Sequence, residues 1–459
     1  MKRTALVGAL LASAAACNSA PPAPLPPSGQ IRLHIDTDAP LPRQTMAALG
    51  PLDSAPLFDR LRIEGIDPTG APCNCARELD VTEEMFRAGT VSLGIVPPPG
   101  RGAAVRVRLF RQAGTLTGEP NPDSTIDVTA AVPPVGPDGI VDLTLSLATD
   151  SVGSPLGQDT PVPLTQGAPA SSLVGSWPGA QRIDCPSPPR AGEVCIPGGA
   201  YWMGNPRVAH DETDDGNRQR LTVVSPFYLD ATEVTVAEYR ASGLIPSFGW
   251  TGVSTGAPQD YCTYTAQPGP YDAYPIDCIA WYEARGYCQA AGKDLPTEAQ
   301  FEYAASGLAG HLFVWGDDPP MSCDELDYSR AGAGYFTPFP GECRTTLWGG
   351  PVPPMQASLD QLVLPTGTVY DLNGNVGEAI LDLWKPLSDA CWASAGVYKD
   401  PVCGPVPSCS PQVGIAYIVA QRGGAWTEPP FRAMAARRGQ IQCNAAVPQQ
   451  GFRCARAAQ

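Results

Sequence analysis

Apolar and polar positions alternate with a period of two in four early segments. These are Ile31, Leu33 and Ile35 around Arg32 and His34; Leu61 and Ile63 between Arg60, Arg62 and Glu64; Val105, Val107 and Leu109 around Arg106 and Arg108; and Leu143, Leu145 and Leu147 around Asp142, Thr144 and Ser146. Period two puts every second side chain on one face, so each segment predicts a half-buried strand. Pro/Gly turns separate the segments and helical periodicity is scarce, which predicts a small all-β module over residues 30–150, most simply an antiparallel sandwich. Within it Asp36-Thr37-Asp38 reads as a solvated acidic turn rather than a cation site. Residues 151–184, rich in Pro, Gly, Ser and Thr without periodicity, read as an interdomain linker.

From 185 to 459 the pattern changes. Thr235-Val236-Ala237-Glu238 and Thr297-Glu298-Ala299-Gln300 are capping boxes, with stops near Gly243 and Gly307, and a further helix is expected from about Trp281 to Gly292. The remainder is Gly/Pro-rich and irregular, with cysteines scattered through it, which predicts an α+β domain held by disulfides and buried turns.

Composition adds a compartment. Lys2 and Arg3, the apolar run Ala5 to Leu11 and the small residues Ser13 to Ala16 end directly in Cys17. Residues 1–17 therefore read as a lipoprotein signal whose lipobox cysteine becomes a diacylated anchor, and the run is too short to span a bilayer. Residues 18–29 form a Pro-rich tether. The expected location is the cell envelope, lipid-anchored, periplasmic or on the outer surface. Of 15 cysteines, one lipidated, an even 14 remain to pair in an oxidising compartment. Histidines occur only at 34, 210 and 311, so zinc-finger readings lack ligands. A net charge of −16 excludes nucleic acid, which requires a basic footprint. The acidic run His210 to Asp215 is read as solvated surface, and no hydrolase elbow or HExxH helix is present.

Four blocks in order carry the chemistry. They are Ile196-Pro197-Gly198-Gly199-Ala200-Tyr201-Trp202-Met203-Gly204 with Phe227-Tyr228-Leu229-Asp230 and Glu233-Val234-Thr235; Trp281, Tyr287-Cys288 and Gly292-Lys293-Asp294-Leu295-Pro296-Thr297-Glu298; Tyr370-Asp371-Leu372-Asn373-Gly374-Asn375-Val376-Gly377-Glu378; and Arg422-Gly423-Gly424-Ala425-Trp426, closing with Gly451-Phe452-Arg453-Cys454. Together they resemble the formylglycine-generating enzyme, or sulfatase-modifying factor, family. The resemblance implies a C-type-lectin-like α+β fold with little regular secondary structure. The aromatic residues in these blocks are read as core.

The resemblance further implies a disulfide between Cys288 and Cys454, and calcium held by the side chains of Asp371 and Glu378 with the carbonyls of Gly374 and Val376. A second family calcium site, near Asp327 and Tyr328, lacks a recognisable downstream acidic ligand. The remaining cysteines lie as close neighbours, with connectivity open. The family oxidase binds copper(I) through two thiolates after its Arg-Gly-Gly, but here those positions hold Glu428 and Ala433. Ala425 and Gly377 also replace a serine and a tryptophan of the family pattern. Copper is accordingly not expected, and Trp426 and Glu428 are placed at the cleft of a domain without family catalysis, a scaffold for a protein partner. The alternatives are a family oxidase with a rearranged site and calcium-supported glycan binding.

Overall fold

The computed structural model describes residues 29–44, 53–97 except 68 and 74, 103–136 except 116 and 117, 139–208, 218–247, 261–330, 343, 350–404, 409 and 417–458. The segments read as an export signal with Cys17 and as a tether up to residue 28, and the run from His210 to Asp215, lie outside the described residues.

The alternating segments become strands. β1 (Gln30–Thr37), β2 (Arg60–Ile66), β3 (Arg77–Asp80), β4 (Ser92–Ile95), β5 (Ala103–Phe110), β6 (Ile126–Val132), β7 (Ile140–Leu147) and β8 (Thr165–Gln166) form two four-stranded sheets, β4-β1-β7-β8 and β3-β2-β5-β6. Ile31, Leu33, Leu61, Val107, Leu109, Leu145 and Leu147 turn into one shared core, each almost fully buried, and burial of such a side chain contributes about 1.5–3 kcal/mol. A short helix, α1 (Glu83–Arg87), adds Phe86 to it.

Two expectations need correction. The sandwich is not wholly antiparallel, because β1 runs parallel to β7 in register from Gln30↔Ile140 to Thr37↔Leu147. Nor is 151–184 a free linker. β8 pairs with β7, Leu156 and Val162 bridge to β6, and Val174, Trp177 and Ala180 enter the sandwich core. The Asp36/Asp38 turn, expected in solvent, does part of the holding. Asp36 is buried and accepts from Ser172 Oγ (2.7 Å) and Leu173 N (3.1 Å), while Asp38 accepts from Thr149 N (2.8 Å). A few spaced anchors give no periodicity, which is why this stretch looks like a linker in sequence.

The second region comprises β9 (Glu193–Ile196), β10 (Gly199–Met203), β11 (Arg220–Val224), β12 (Phe227–Asp230), α2 (Val236–Ala241), α3 (Trp281–Ala290), α4 (Glu298–Ala305), β13 (Gln361–Leu364), β14 (Gly367–Tyr370), β15 (Gly377–Leu383), β16 (Tyr398–Lys399), β17 (Ile418–Arg422), β18 (Gly439–Gln442), β19 (Gln450–Gly451) and β20 (Ala455–Ala457). They form small sheets in the orders β10-β11-β16, β20-β12-β9, β13-β14 and β18-β17-β15-β19, an α+β arrangement with long irregular connections. The capping boxes at Thr235 and Thr297 form as the sequence predicts, and the helices stop at Gly243, Gly292 and Gly307, each with positive φ.

The two regions share a core. Trp202, on β10, packs edge-on against Phe58 at 5.5 Å and donates its indole N–H to the Leu57 carbonyl at 2.7 Å. Ala200, Trp202 and Leu221 belong to the same buried cluster as the sandwich strands. Trp202→Ala is expected to lower the unfolding free energy by about 3–5 kcal/mol and to split one calorimetric transition into two. An unmoved single transition would contradict the shared core.

Candidate functional site

The third block forms a turn between β14 and β15, and buried polar contacts set its shape. Asp371 and Asn375 adopt positive φ (55° and 64°), a conformation that Asp and Asn tolerate better than most residues. Asp360 accepts from Leu372 N (3.1 Å) and Asn373 N (2.8 Å). The Asn373 side chain accepts from Val314 N and donates to the Ala433 carbonyl, both at 2.9 Å. Asn375 accepts from Val352 N at 2.9 Å and donates to Glu233 Oε1 at 3.2 Å.

The fourth block is zipped onto this turn. Gly424 N donates to the Asn373 carbonyl (3.1 Å) and Trp426 N to the Asn375 carbonyl (2.7 Å). A Cβ on Gly424 would lie 2.7 Å from the Asn373 oxygen and 2.8 Å from Ala433, so only glycine allows this approach. Arg422, fully buried, reaches Glu298 (2.9 Å) and Glu302 (2.7 Å) and donates to the Ala435 carbonyl (2.9 Å). Arg438 adds a bond to Glu298 at 2.6 Å. Burial opposes ionisation of Glu298, but Arg438 and Arg422 hold its carboxyl below the usual range. Asp382 stands behind it and accepts from Glu298 N (2.7 Å) and Cys403 N (2.6 Å).

Arg453, from the closing motif, is the centre of the acidic part. Its Nε lies 2.8 and 2.9 Å from the two Glu378 oxygens, and its Nη2 donates to the carbonyls of Tyr370 (2.8 Å) and Asp371 (3.0 Å). Glu378, Glu233 and Asp371 all act on this one guanidinium. Burial, then the Asp371 charge, pushes Glu233 well above the usual carboxyl range; burial, then Asp360, does the same to Asp371. Burial pushes Asp360 up to about 7 and Asp327 to about 6.

Buried acidic groups outnumber the arginine that serves them here. Three carboxylates face a single arginine, and Glu233 Oε2 is buried without a hydrogen-bond partner. Asp371 and Glu378, two of the implied ligands, are both buried and both act on Arg453, and Gly374 and Val376 lie between them in the turn. Glu378 shares its carboxylate with Arg453, but a carboxylate offers about four lone-pair sites. The sequence reading did not include Glu233 or Arg453 in the site. Their signal was present: Glu233 follows the β12 strand, and a lone arginine sits between Phe452 and Cys454 in an apolar context.

The copper positions do not fit their metal. Glu428 is partly exposed and lies 3.6 Å from Arg432, while Ala433 is a buried methyl packed on Gly424. All 14 cysteines after Cys17 are paired, as Cys73–Cys75, Cys185–Cys195, Cys262–Cys278, Cys288–Cys454, Cys323–Cys343, Cys391–Cys403 and Cys409–Cys443. None of them offers a thiolate, the donor copper(I) requires. Trp426 also departs from its expected place on a cleft wall. It is fully buried, covered by Tyr261 at 5.2 Å, with its indole N–H on the Pro448 carbonyl at 3.1 Å.

The polar network makes stability depend on pH. Burial, then the charge of Glu298, pushes Asp382 up to about 7, against about 4 unfolded. The folded state thus retains a proton the unfolded chain releases, so this contribution is full below about pH 4 and is lost as pH rises through about 7. Urea denaturation of Asp382→Asn between pH 5 and 8 is expected to show a flatter decline than the parent chain. Parallel curves would count against this assignment.

Residues 183–458 match the family model of the sulfatase-modifying factor enzyme 1-like domain. The formylglycine-generating enzyme of Streptomyces coelicolor is 28% identical over 239 residues, covering 45% of this chain and 66% of that protein. The formylglycine-generating enzyme of Bos taurus is 27% identical over 250 residues, covering 47% and 62%. The chain thus spans just under two thirds of each. The inactive C-alpha-formylglycine-generating enzyme 2 of Bos taurus is 28% identical over 229 residues, covering 40% and 68%. Among solved structures, PvdO from Pseudomonas aeruginosa aligns over 58% of this chain and 94% of its own at 21% identity, with a TM-score of 0.41.

Proposed function

The chain belongs to the sulfatase-modifying factor enzyme 1-like family, and on that premise we propose that it is an exported, lipid-anchored scaffold that uses the family fold for binding or assembly rather than for cysteine oxidation. The observation that carries this reading is the donor set. The two thiolate positions hold a carboxylate already beside Arg432 and a methyl sealed into the core, and the cysteines after Cys17 are consumed in disulfides. Similarity to a vertebrate relative named as inactive is in keeping with it.

The same pairing supports export. Seven disulfides suit an oxidising compartment, and anchoring through Cys17 follows from the lipobox reading of residues 1–17. Partner binding would then occur at the cell envelope.

Calcium is part of the proposal as a structural ion. Asp371, Glu378 and Glu233, with the carbonyls of Gly374 and Val376, would hold it. Bound there, it supplies positive charge that offsets carboxylates buried in excess of Arg453. The side chains themselves keep the turn in shape and exclude water from it.

Two measurements test these statements. A sulfatase-type peptide containing cysteine, incubated with the full chain, copper(I) and oxygen, is expected to keep its thiol, and copper to show no stoichiometric binding. Aldehyde in the peptide mass spectrum would overturn the scaffold reading. For calcium, millimolar ion is expected to raise the melting midpoint of chelator-treated protein, by about 2.7 kcal/mol of stability at a hundredfold excess over the dissociation constant. Glu233→Gln is expected to reduce that gain. Identical melts with chelator and with calcium would remove the ion from the account.

A further inference from the structure

The connection from β2 to β3 carries a pair of cysteines that neither the calcium turn nor the scaffold reading uses. We propose that Cys73 and Cys75 form a thiol–disulfide exchange site that accepts two electrons from paired thiols of a partner protein.

Access is the first argument. Each of the other six disulfides keeps at least one of its cysteines in the buried core. Here Cys75 is exposed and Cys73 only half-buried. Exchange begins with a thiolate reaching a disulfide sulfur, so a buried bond is shielded from it and this one is open.

Loop length is the second argument, and it is independent of exposure. The other six pairs join positions 10 to 166 apart, whereas Cys73 and Cys75 stand 2 apart. A cross-link acts chiefly by restricting the unfolded chain, and it does so more the longer the loop it closes. A bond across one intervening residue restricts very little. Opening it therefore leaves the fold intact, which a structural disulfide of this size could not justify and a reversible one requires.

The surroundings hold one sulfur and present the other. Cys73 N donates to the Gly65 carbonyl at 2.7 Å, Pro72 bridges to Ile66, and Asp67 Oδ1 closes the turn by accepting from Thr69 N (2.8 Å) and Ala71 N (3.0 Å). A Cβ on Gly65 would lie 2.8 Å from Cys73 Sγ and 3.4 Å from Cys75 Sγ, so the glycine on β2 leaves the space the two sulfurs occupy. Cys75 leads into β3, which is exposed along its whole length and ends its sheet among the described strands. Cys75 is thus the sulfur attacked, and Cys73 is the one that leaves and returns.

The chemistry balances in two steps. A partner thiolate attacks Cys75 Sγ, the Cys73–Cys75 bond breaks, and Cys73 Sγ leaves with the electron pair and takes a proton. The partner's second thiolate then attacks the partner sulfur of the mixed disulfide, and Cys75 Sγ leaves with its pair and takes the second proton. The partner dithiol is oxidised to a disulfide while Cys73 and Cys75 are reduced to thiols, and a low-molecular-weight disulfide resets them by the reverse sequence.

The test uses the full chain in glutathione buffers of graded ratio, with the state of each cysteine read by differential alkylation and peptide mass spectrometry. Cys73 and Cys75 are expected to be half-reduced under conditions at least roughly tenfold milder than any other pair needs. Oxidised protein mixed with a reduced dithiol peptide is expected to form about one equivalent of peptide disulfide. With a peptide carrying an activated disulfide, Cys73→Ser should form the mixed disulfide at Cys75 about tenfold faster than Cys75→Ser does at Cys73. The double serine variant should melt within about 2 °C of the parent and oxidise no peptide. Reduction of this pair only alongside the other six, no peptide disulfide from the parent, or peptide oxidation undiminished in the double variant would overturn the proposal.

Discussion

A guanidinium shut away from water organises the second region of this protein. Arg453 spends its N–H groups on Glu378 and on the carbonyls of Tyr370 and Asp371, so the closing segment of the chain dictates where the third block turns. Removing one partner of such a pair would strand the other charge and cost about 3–5 kcal/mol. The neighbouring residue, Cys454, is bonded to Cys288 on α3, and β20 pairs with β12 immediately afterwards. A fold with few long strands and helices thereby gains specificity from covalent and ionic contacts made far apart in sequence.

The same logic explains why the fourth block is recognisable without the family's thiolate pair. Arg422 secures α4 through Glu298 and Glu302, and Gly424 admits the Asn373 carbonyl at a distance no side chain would permit. These duties belong to packing. They hold with Glu428 and Ala433 in place of thiolates, so an Arg-Gly-Gly-x-Trp sequence reports the frame of the fold and says little by itself about oxidation.

What could be read from the sequence was what depends on neighbours along the chain. The alternation around Val105, Val107 and Leu109 gave a strand, and Thr297 with Gln300 gave a helix start, because both rest on local geometry. The parallel pairing of β1 with β7, the docking of Trp177 and the gathering of Glu233 with Asp371 and Arg453 depend on contacts across 50 to more than 200 residues, and no period encodes them. Asp36 shows the limit well: an acidic residue next to Thr37 suggests solvent, yet it lies buried beneath a segment that begins more than a hundred positions later. The site divided along the same line, with Asp371 and Glu378 visible inside one motif and their partners hidden in others.

Trp202 carries a mechanical implication. Its ring is wedged beside Phe58 and its indole is tied to Leu57, so the sandwich and the irregular region are coupled through one shared core. Loosening that wedge would expose apolar surface on both sides of it at once, so damage to either region is felt by the other.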